Sequence, residues 1–497
     1  MSKSICDGLV TAKPFRILVA VILLLLLGCL GEAGAQTMTY LHQFSTVTGT
    51  DGAEPVWVHL IQASDGDFYG TTELGGTNSA GTVFKITSAG SMTFLYNFHG
   101  GGAPNDGETP EAGLVQGSDG NFYGTTYQGG SNFFGTLFKM TPAGVLTNIH
   151  IFQGQAAGDG IWPFSQLIQG TDGFFYGTAS GGGARGYGCV FKINSAGSLT
   201  TIYSFTNGLD GSDPYAGVFQ GSDGNFYGTT QYGGGSSNCS NGGCGTVYKV
   251  TSAGTLTSLH QFGANPQDGQ TPYGGIVQGY VGDYFGATYA GGTNGYGTVF
   301  RITSAGTLTI LYQFGGTVHD GQSPYAGLVQ GSDGYLYGTT LLGGSNGNPG
   351  PGTIFKIGPT GGLTYVHNFG GVGDVGVYPK AAPVEGYDGN YYGTTFQGGT
   401  NSLGTVYKLA YPVSSNPNEP SSFGFGNTNG NSNVILSLST IAGETYQLQS
   451  ADSLSASTIW SNVPGSVVSN AIGGPLSFTN FISGIVSQRF FRFDITP

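Results

Sequence analysis

Charge is what this 497-residue chain has least of: Asp, Glu, Lys and Arg together make up 8% of it, against a usual share of roughly a quarter. The few charges are lopsided, 27 acidic against 14 basic, for a formal net charge of −13. That balance excludes a nucleic-acid partner, which needs clustered Lys and Arg for the phosphates, and disfavours an anionic membrane surface. It admits a cation or a neutral, sugar-like ligand. Tryptophan is scarce, with 3 residues and no period among them, which argues against the Trp-rich docking repeats of quinone-binding propellers. No apolar stripe with a 3.6-residue period runs through the chain after residue 35, so long amphipathic helices are excluded. Catalytic signatures are missing too: there is no G-x-S-x-G, no H-E-x-x-H and no P-loop.

What the chain has is glycine, 94 residues, and aromatics, 32 Phe and 29 Tyr. Glycine alone would suit disorder, but so many large rings must bury area. The combination predicts short strands and tight turns.

The N-terminus reads as an export signal. Lys3, Lys13 and Arg16 precede the apolar run "ILVAVILLLLL" (17–27), and "AGA" (33–35) follows as a small-x-small cleavage site. The run is too short to span a bilayer comfortably, so residues 1–35 are expected to be removed as a signal peptide. A rival lies within it, since "LLGC" (26–29) resembles a lipobox that would lipidate Cys29. Either way the protein leaves the cytoplasm, for secretion or the cell surface. Only Cys189, Cys239 and Cys244 lie beyond the signal. Cys239 and Cys244 stand in "NCSNGGC" (238–244) and are expected to form a local disulfide in an oxidising compartment. Cys189 takes a Thr position of the repeat and is expected to be a buried, inert thiol.

The dominant signal is repetition. A core of the type "FYGTT" centres on Gly70, Gly124, Gly177, Gly228, Gly286, Gly338 and Gly393, at spacings of 51 to 58 residues. Seven copies at such a period point to a propeller or solenoid. Each copy carries four strand-like pieces, here named A to D. In the second copy they are 111–117, 121–127, 135–141 and 146–152. "SDGN" (118–121) makes a tight A–B hairpin, "TPAG" (141–144) turns C into D, and "DGETP" (106–110) leads into A. Four antiparallel strands per unit is the blade of a β-propeller. The seventh copy ends after its C strand, while a lone D-like piece, "MTYLHQF" (38–44), stands at the mature N-terminus. Pairing the two completes seven blades and leaves no open edge.

The domains expected are a signal peptide over 1–35, an all-β seven-bladed propeller over 36–411, a linker over 412–432 with room for one edge strand, and a small Ig- or fibronectin-like β-sandwich over 433–497.

The repeat resembles the GloVer tandem repeat of exported bacterial proteins, named for Gloeobacter and the Verrucomicrobia. The residues that carry the resemblance are of the types "GSDGNFYGTT", "GGSNFFGTLFKMTPAG" and "LTNIHIF". It implies an extracytoplasmic, propeller-like protein, often tethered to the cell surface, and implies no activity or ligand. The tail resembles small β-domains that end secreted Verrucomicrobial proteins, through "GETYQLQSADSL" (443–454), Trp460 and "RFFRF" (489–493).

Four residue sets are candidates for function. One basic residue recurs in strand C: Lys85, Lys139, Lys192, Lys249, Arg301, Lys356 and Lys408. These are expected to pair structurally with the hairpin acids Asp65, Asp119, Asp172, Asp223, Asp283, Asp333 and Asp388. A second acidic set, Asp51, Asp106, Asp159, Asp210, Asp268, Asp320 and Asp374, lies in the D–A loops at the channel mouth. A carboxylate ring there could hold Ca²⁺ or steer a cation, though an Asp-Gly pair also simply turns the chain. Together with Trp162, Tyr215, Tyr273, Tyr325 and Tyr378 these loops are the expected ligand-binding face, because an aromatic rim with polar groups suits sugars. His42, His150, His260 and His367 share one strand-D position with Tyr96, Tyr203 and Tyr312, and packing is the expected role. Glu385 replaces a Gln of the other six copies and is a weak candidate for a catalytic acid.

These features predict a monomeric, exported binding module for glycan or a surface protein, with no cofactor beyond a Ca²⁺ option. The alternatives are a polysaccharide lyase or hydrolase working at the propeller mouth, and a structural envelope protein.

Overall fold

A computed structural model of the chain describes residues 36–410, apart from loop segments at 46–49, 56–58, 101–104, 240–241, 266, 280–281 and 346–349, and six strands of the tail as backbone. The signal segment with Cys29, and Trp460 in the tail, lie outside the described residues.

Seven four-stranded antiparallel sheets form seven propeller blades. Apart from one 3-10 turn at Gln155–Ala157, no helix occurs among the described residues. In the second blade the strands are Val115–Gln116 (A), Phe122–Thr126 (B), Thr136–Met140 (C) and Leu146–Ile151 (D). The last sheet joins Val384–Glu385, Tyr391–Thr395 and Thr405–Ala410 to Thr37–Gln43, with Tyr40 opposite Tyr407.

The ten-residue repeat works as an assembly kit. Strand B is buried at all five positions because both faces meet neighbouring blades. Its first aromatic stacks on the second aromatic of the preceding blade: Phe122 on Tyr69 at 4.2 Å, Phe175 on Tyr123 at 3.9 Å, and, across the ends of the chain, Phe68 on Tyr392 at 4.0 Å. Gly124 is required by close approach, since a Cβ there would lie 2.5 Å from the Phe138 ring. The first Thr reaches the next blade, with Thr71 Oγ1 donating to the Ala112 carbonyl at 2.9 Å. The second Thr stays in its own blade, where the Thr72 and Thr82 hydroxyls meet at 2.8 Å. The hairpin turns at Gly120, whose φ of 78° suits glycine.

Strand A is shorter than expected. Only two residues ladder with B, because the backbones crowd near the axis: a Cβ on Gly113 would sit 2.4 Å from the His59 carbonyl oxygen of the preceding blade. The residues before the ladder turn instead toward the mouth. Each C–D pairing carries a β-bulge, and bulges re-aim side chains. The residue just beyond it is the His or Tyr of strand D.

The tail strands form two three-stranded antiparallel sheets, Ser422–Thr428 with Asn431–Thr440 and Gly474–Ile482, and Ser461–Asn470 with Glu444–Ala451 and Phe490–Thr496. The first of these strands falls where a linker is expected from composition.

Candidate functional site at the propeller mouth

The D–A loop aspartates are anchored to strand D. His42, His150, His260 and His367 meet Asp51, Asp159, Asp268 and Asp374 at 3.2, 2.9, 2.9 and 2.8 Å. Tyr96, Tyr203 and Tyr312 donate to Asp106, Asp210 and Asp320 at 2.5, 3.0 and 2.9 Å. Histidine and tyrosine alternate there because both place one hydrogen-bond donor at the same reach. Most of these carboxylates also accept a backbone N–H, as Asp159 does from Gln153 at 2.9 Å. Asp106, Asp159, Asp268 and Asp320 are buried. Burial pushes the Asp51 carboxyl up, but hydrogen bonds from His42 and Ser45 outweigh it and hold it below its ordinary value. These groups clamp their own loops. Among the described residues, no cluster of three or more His, Cys, Asp or Glu is placed to hold a metal ion.

The strand-C cations gather at the hairpin end. Lys85 bridges Asp65 and Asp67 at 3.2 and 2.6 Å, and Lys139, Lys408, Arg301 and Lys356 meet Asp119, Asp388, Asp283 and Asp333 at 2.8, 3.0, 3.5 and 3.6 Å. Lys192 instead lies 5.1 Å above the Phe174 ring. Burial pushes the Asp223 carboxyl up, but hydrogen bonds from Asn225 and Tyr227, helped by the charge of Lys249, hold it below its ordinary value. Tyr123, Tyr176, Tyr227, Tyr337 and Tyr392 donate to hairpin acids, Tyr176 to Asp172 at 2.7 Å.

Glu385, the weak candidate for a catalytic acid, belongs to this end as well. Its carboxylate accepts the Ser332 backbone N–H at 2.7 Å, just as Gln116, Gln169, Gln220 and Gln278 accept from Ser64, Ser118, Thr171 and Ser222 at 2.8–2.9 Å. It latches one blade to the next, away from the mouth.

Cys239 and Cys244 form a disulfide, and Cys189 is a free, buried thiol that burial pushes up to about 12.

The mouth is built by two residues of each D–A loop, one on either side of its proline. The residue before the proline is left-handed in every blade: Glu54, Thr109, Trp162, Asp213, Thr271, Ser323 and Tyr378 have φ of 50° to 59°. Such conformations are costly for non-glycine residues and cluster at functional sites. Here each backbone is held from both sides. Trp162 N–H donates to the Phe134 carbonyl of the preceding blade at 2.9 Å, and its own carbonyl accepts the Ser180 N–H at 3.1 Å.

The residue after the proline points to the axis. Glu111, Phe164, Tyr215, Tyr273, Tyr325 and Lys380 occupy it in blades two to seven. Four successive rings form an arc, with centroids 4.7 Å apart for Phe164–Tyr215, 5.8 Å for Tyr215–Tyr273 and 4.6 Å for the stacked Tyr273–Tyr325. Tyr127 extends it at 4.5 Å from Phe164, and Tyr289 backs Tyr273 at 5.3 Å. Beneath lies a cavity of about 180 Å³ on the channel axis, lined by the arc, Lys380, His59 and Gln166. Burial drives the His59 imidazole down to about 4, partly offset by a hydrogen bond with the Ala382 backbone. The opposite wall carries the charges. Lys380 sits 3.4 Å from the Phe396 ring centroid, and burial lowers its pKa against the pull of Glu73, Glu111 and Glu54. Burial, then Glu54, raises Glu73.

The expected aromatics thus divide. Tyr215, Tyr273 and Tyr325 converge on the axis, while Trp162 and Tyr378 stand on the left-handed rim. Phe164, Glu111, Lys380, His59 and Gln166 were missed by sequence reasoning. Glu111, Phe164 and Lys380 share the column after a constant proline, whose chemistry changes from blade to blade, and that change is their signal; His59 and Gln166 stand elsewhere in the repeat.

Fold and mouth together define an all-β, seven-bladed propeller made from one repeated unit. The chain belongs to the family of the Gloeobacter/Verrucomicrobia repeat, whose sequence profile matches residues 32–240 and 194–407. No curated protein matches it. Among solved structures it is similar to the periplasmic gluconolactonase of Pseudomonas aeruginosa, at 17% identity and a TM-score of 0.40 over 67% of this chain and 95% of that one. It is similar to a polysaccharide lyase at 11% and 0.47, over 73% and 91%. A third is the α-L-arabinofuranosidase of Fusarium graminearum, at 12% and 0.38 over 60% and 91%. Likenesses this distant transfer no activity. No helix among the described residues is long and apolar enough to cross a membrane.

Proposed function

We propose that the protein is an exported binding module, secreted or held at the cell surface, that docks a glycan against the aromatic arc of its propeller mouth. The arc of Phe164, Tyr215, Tyr273 and Tyr325 over the axial cavity carries this reading. Half-buried rings offer apolar faces to sugar C–H groups and hydroxyls to their oxygens. A cavity of about 180 Å³ suits one terminal sugar, with the rest of the chain lying across the rim. Export rests on the segment 1–35. The pairing of Thr37–Gln43 with Thr405–Ala410 supports that strand as the closure of the ring. The two tail sheets support a β-sandwich accessory module over 433–497. A second reading, a lyase or hydrolase at the same mouth, is favoured by the ionisable wall of Glu54, Glu73, Glu111 and Lys380 facing the arc.

The test is a glycan array probed with residues 36–497, with and without Ca²⁺. Calcium-independent binding that Tyr273→Ala abolishes is the expected result. An array with no binder would overturn the glycan reading, and turnover of a bound polysaccharide would favour the second.

A further inference from the structure

The cavity beneath the arc is built in three levels. On the way into strand A every second residue faces the channel, so Tyr215, Gly217 and Phe219 are partly exposed where Ala216 and Val218 are buried. The arc is the first level. At the second, blades one and three carry His59 and Gln166, whereas blades four to six carry Gly217, Gly275 and Gly327. Gln166 Nε2 donates to the Leu114 carbonyl at 2.6 Å, and its side chain takes the space beside Gly113. The cavity therefore opens on the glycine side, under Tyr215, Tyr273 and Tyr325. At the third level every blade has Ile, Val or Phe, and Ile168 and Phe219 line the cavity itself.

The opening is not a by-product of backbone crowding at every blade. A Cβ on Gly217 would lie 2.5 Å from the Gln166 carbonyl oxygen, but one on Gly275 would meet the Gly217 oxygen at 3.3 Å and the Ala216 methyl at 3.6 Å. Ala382 fills the same column in blade seven. Glycine at 275 thus keeps space that a side chain could occupy. The floor below offers no hydrogen bonds, since Ile168 and Phe219 are apolar and their backbones ladder with Tyr176 and Tyr227. Among the described residues no carboxylate lines the cavity, and the charge of Lys380 at its edge is answered by Glu73, Glu111 and Glu54.

Resting on the glycan reading of the mouth, we propose that the cavity takes a neutral sugar by a methyl group, passed between the glycines of blades four to six and seated on Ile168 and Phe219. A methyl gains by burial there. A hydroxyl at the same depth gives up its water for no partner. The methyl can come from a 6-deoxy sugar or from an acetamido group, and His59 and Gln166 stand one level higher for the polar groups of the same ring.

The experiment is calorimetric titration of residues 36–497 with three pairs of sugars: L-fucose and L-galactose, L-rhamnose and L-mannose, N-acetylglucosamine and N-formylglucosamine. In at least one pair the methyl-bearing member should bind about tenfold more tightly, and the pair that responds tells a deoxy methyl from an acetamido one. Gly275→Ala, with its Tm measured alongside, should weaken that sugar about fivefold by filling the opening. Equal affinities within all three pairs, no binding by any methyl-bearing member, or full affinity in Gly275→Ala would overturn the proposal. If the pairs bind equally and Tyr273→Ala abolishes them, the methyl seat falls while the glycan mouth stands. If no arrayed glycan binds either, both fall.

Discussion

His150 Nε2 lies 2.9 Å from Asp159 Oδ2, and the same carboxylate accepts the backbone N–H of Gln153. The relationship recurs in every blade with His or Tyr as the donor. It explains why an acid sits beside glycine at each D–A loop. Because the repeat uses both rings, His150→Tyr should fold with a Tm near that of the wild type. Asp159→Ala should lose about 2 kcal/mol, the usual scale for charged hydrogen bonds, measured by urea unfolding.

The left-handed rim stores strain that can be released. Thr271 holds φ at 50° while its N–H donates to the Cys244 carbonyl at 2.8 Å. That conformation costs an L-residue about 1–2 kcal/mol, and glycine repays part of the gain through its unfolded-chain entropy. Thr271→Gly should raise the Tm, and a lower Tm would mean that the side chain packs more than the backbone strains.

Glu385 separates a latch from a catalyst. Burial raises its folded pKa above the ordinary 4.5, against the hydrogen bonds from Ser332. A carboxyl raised in the folded state binds protons that the unfolded chain has lost, so its contribution is full below 4.5 and declines as pH rises through the folded value. Glu385→Gln should therefore stabilise at pH 8 and change little at pH 4. It should leave ligand binding at the mouth untouched.

His59 should give the opposite slope. Its folded pKa is lowered by burial from 6.5 to about 4, so the unfolded chain takes up the proton first. Its contribution is present above 6.5 and lost as pH falls toward 4. Unfolding curves at pH 7 and pH 4.5 should show a loss in the wild type that is smaller in His59→Asn.

Ring closure makes its own prediction. Removing residues 36–43 takes away the strand paired with Thr405–Ala410 and bares an edge. The truncated chain should aggregate or melt well below the wild type, whereas an unchanged melting curve would show that the Phe68–Tyr392 stack closes the ring alone.

The blade count was legible because glycine cores mark a period, and the strand types because each repeat spells its turns. Pairing of a strand-C cation with a hairpin acid was legible from topology for Lys85, Lys139, Arg301, Lys356 and Lys408, but not the place of Lys192 above the Phe174 ring. The aromatic arc was legible only in part: Tyr215, Tyr273 and Tyr325 stand at one repeat position, but Phe164 and Lys380 at the same position were passed over for their different chemistry. The left-handed residues were not legible, since Trp162 and Thr271 are poor candidates for positive φ by type; contacts from two blades impose it. Nor was the fate of the loop aspartates, because the C–D bulge that aims His150 at Asp159 has no composition of its own.

The proposed binding face is the aromatic mouth, not the charged hairpin end. Its most direct test is affinity for the strongest arrayed glycan, measured for the wild type, Tyr273→Ala and Lys139→Ala. Tyr273→Ala should lose at least tenfold in affinity and Lys139→Ala should lose none. Retained affinity in the first, or a loss confined to the second, would contradict it.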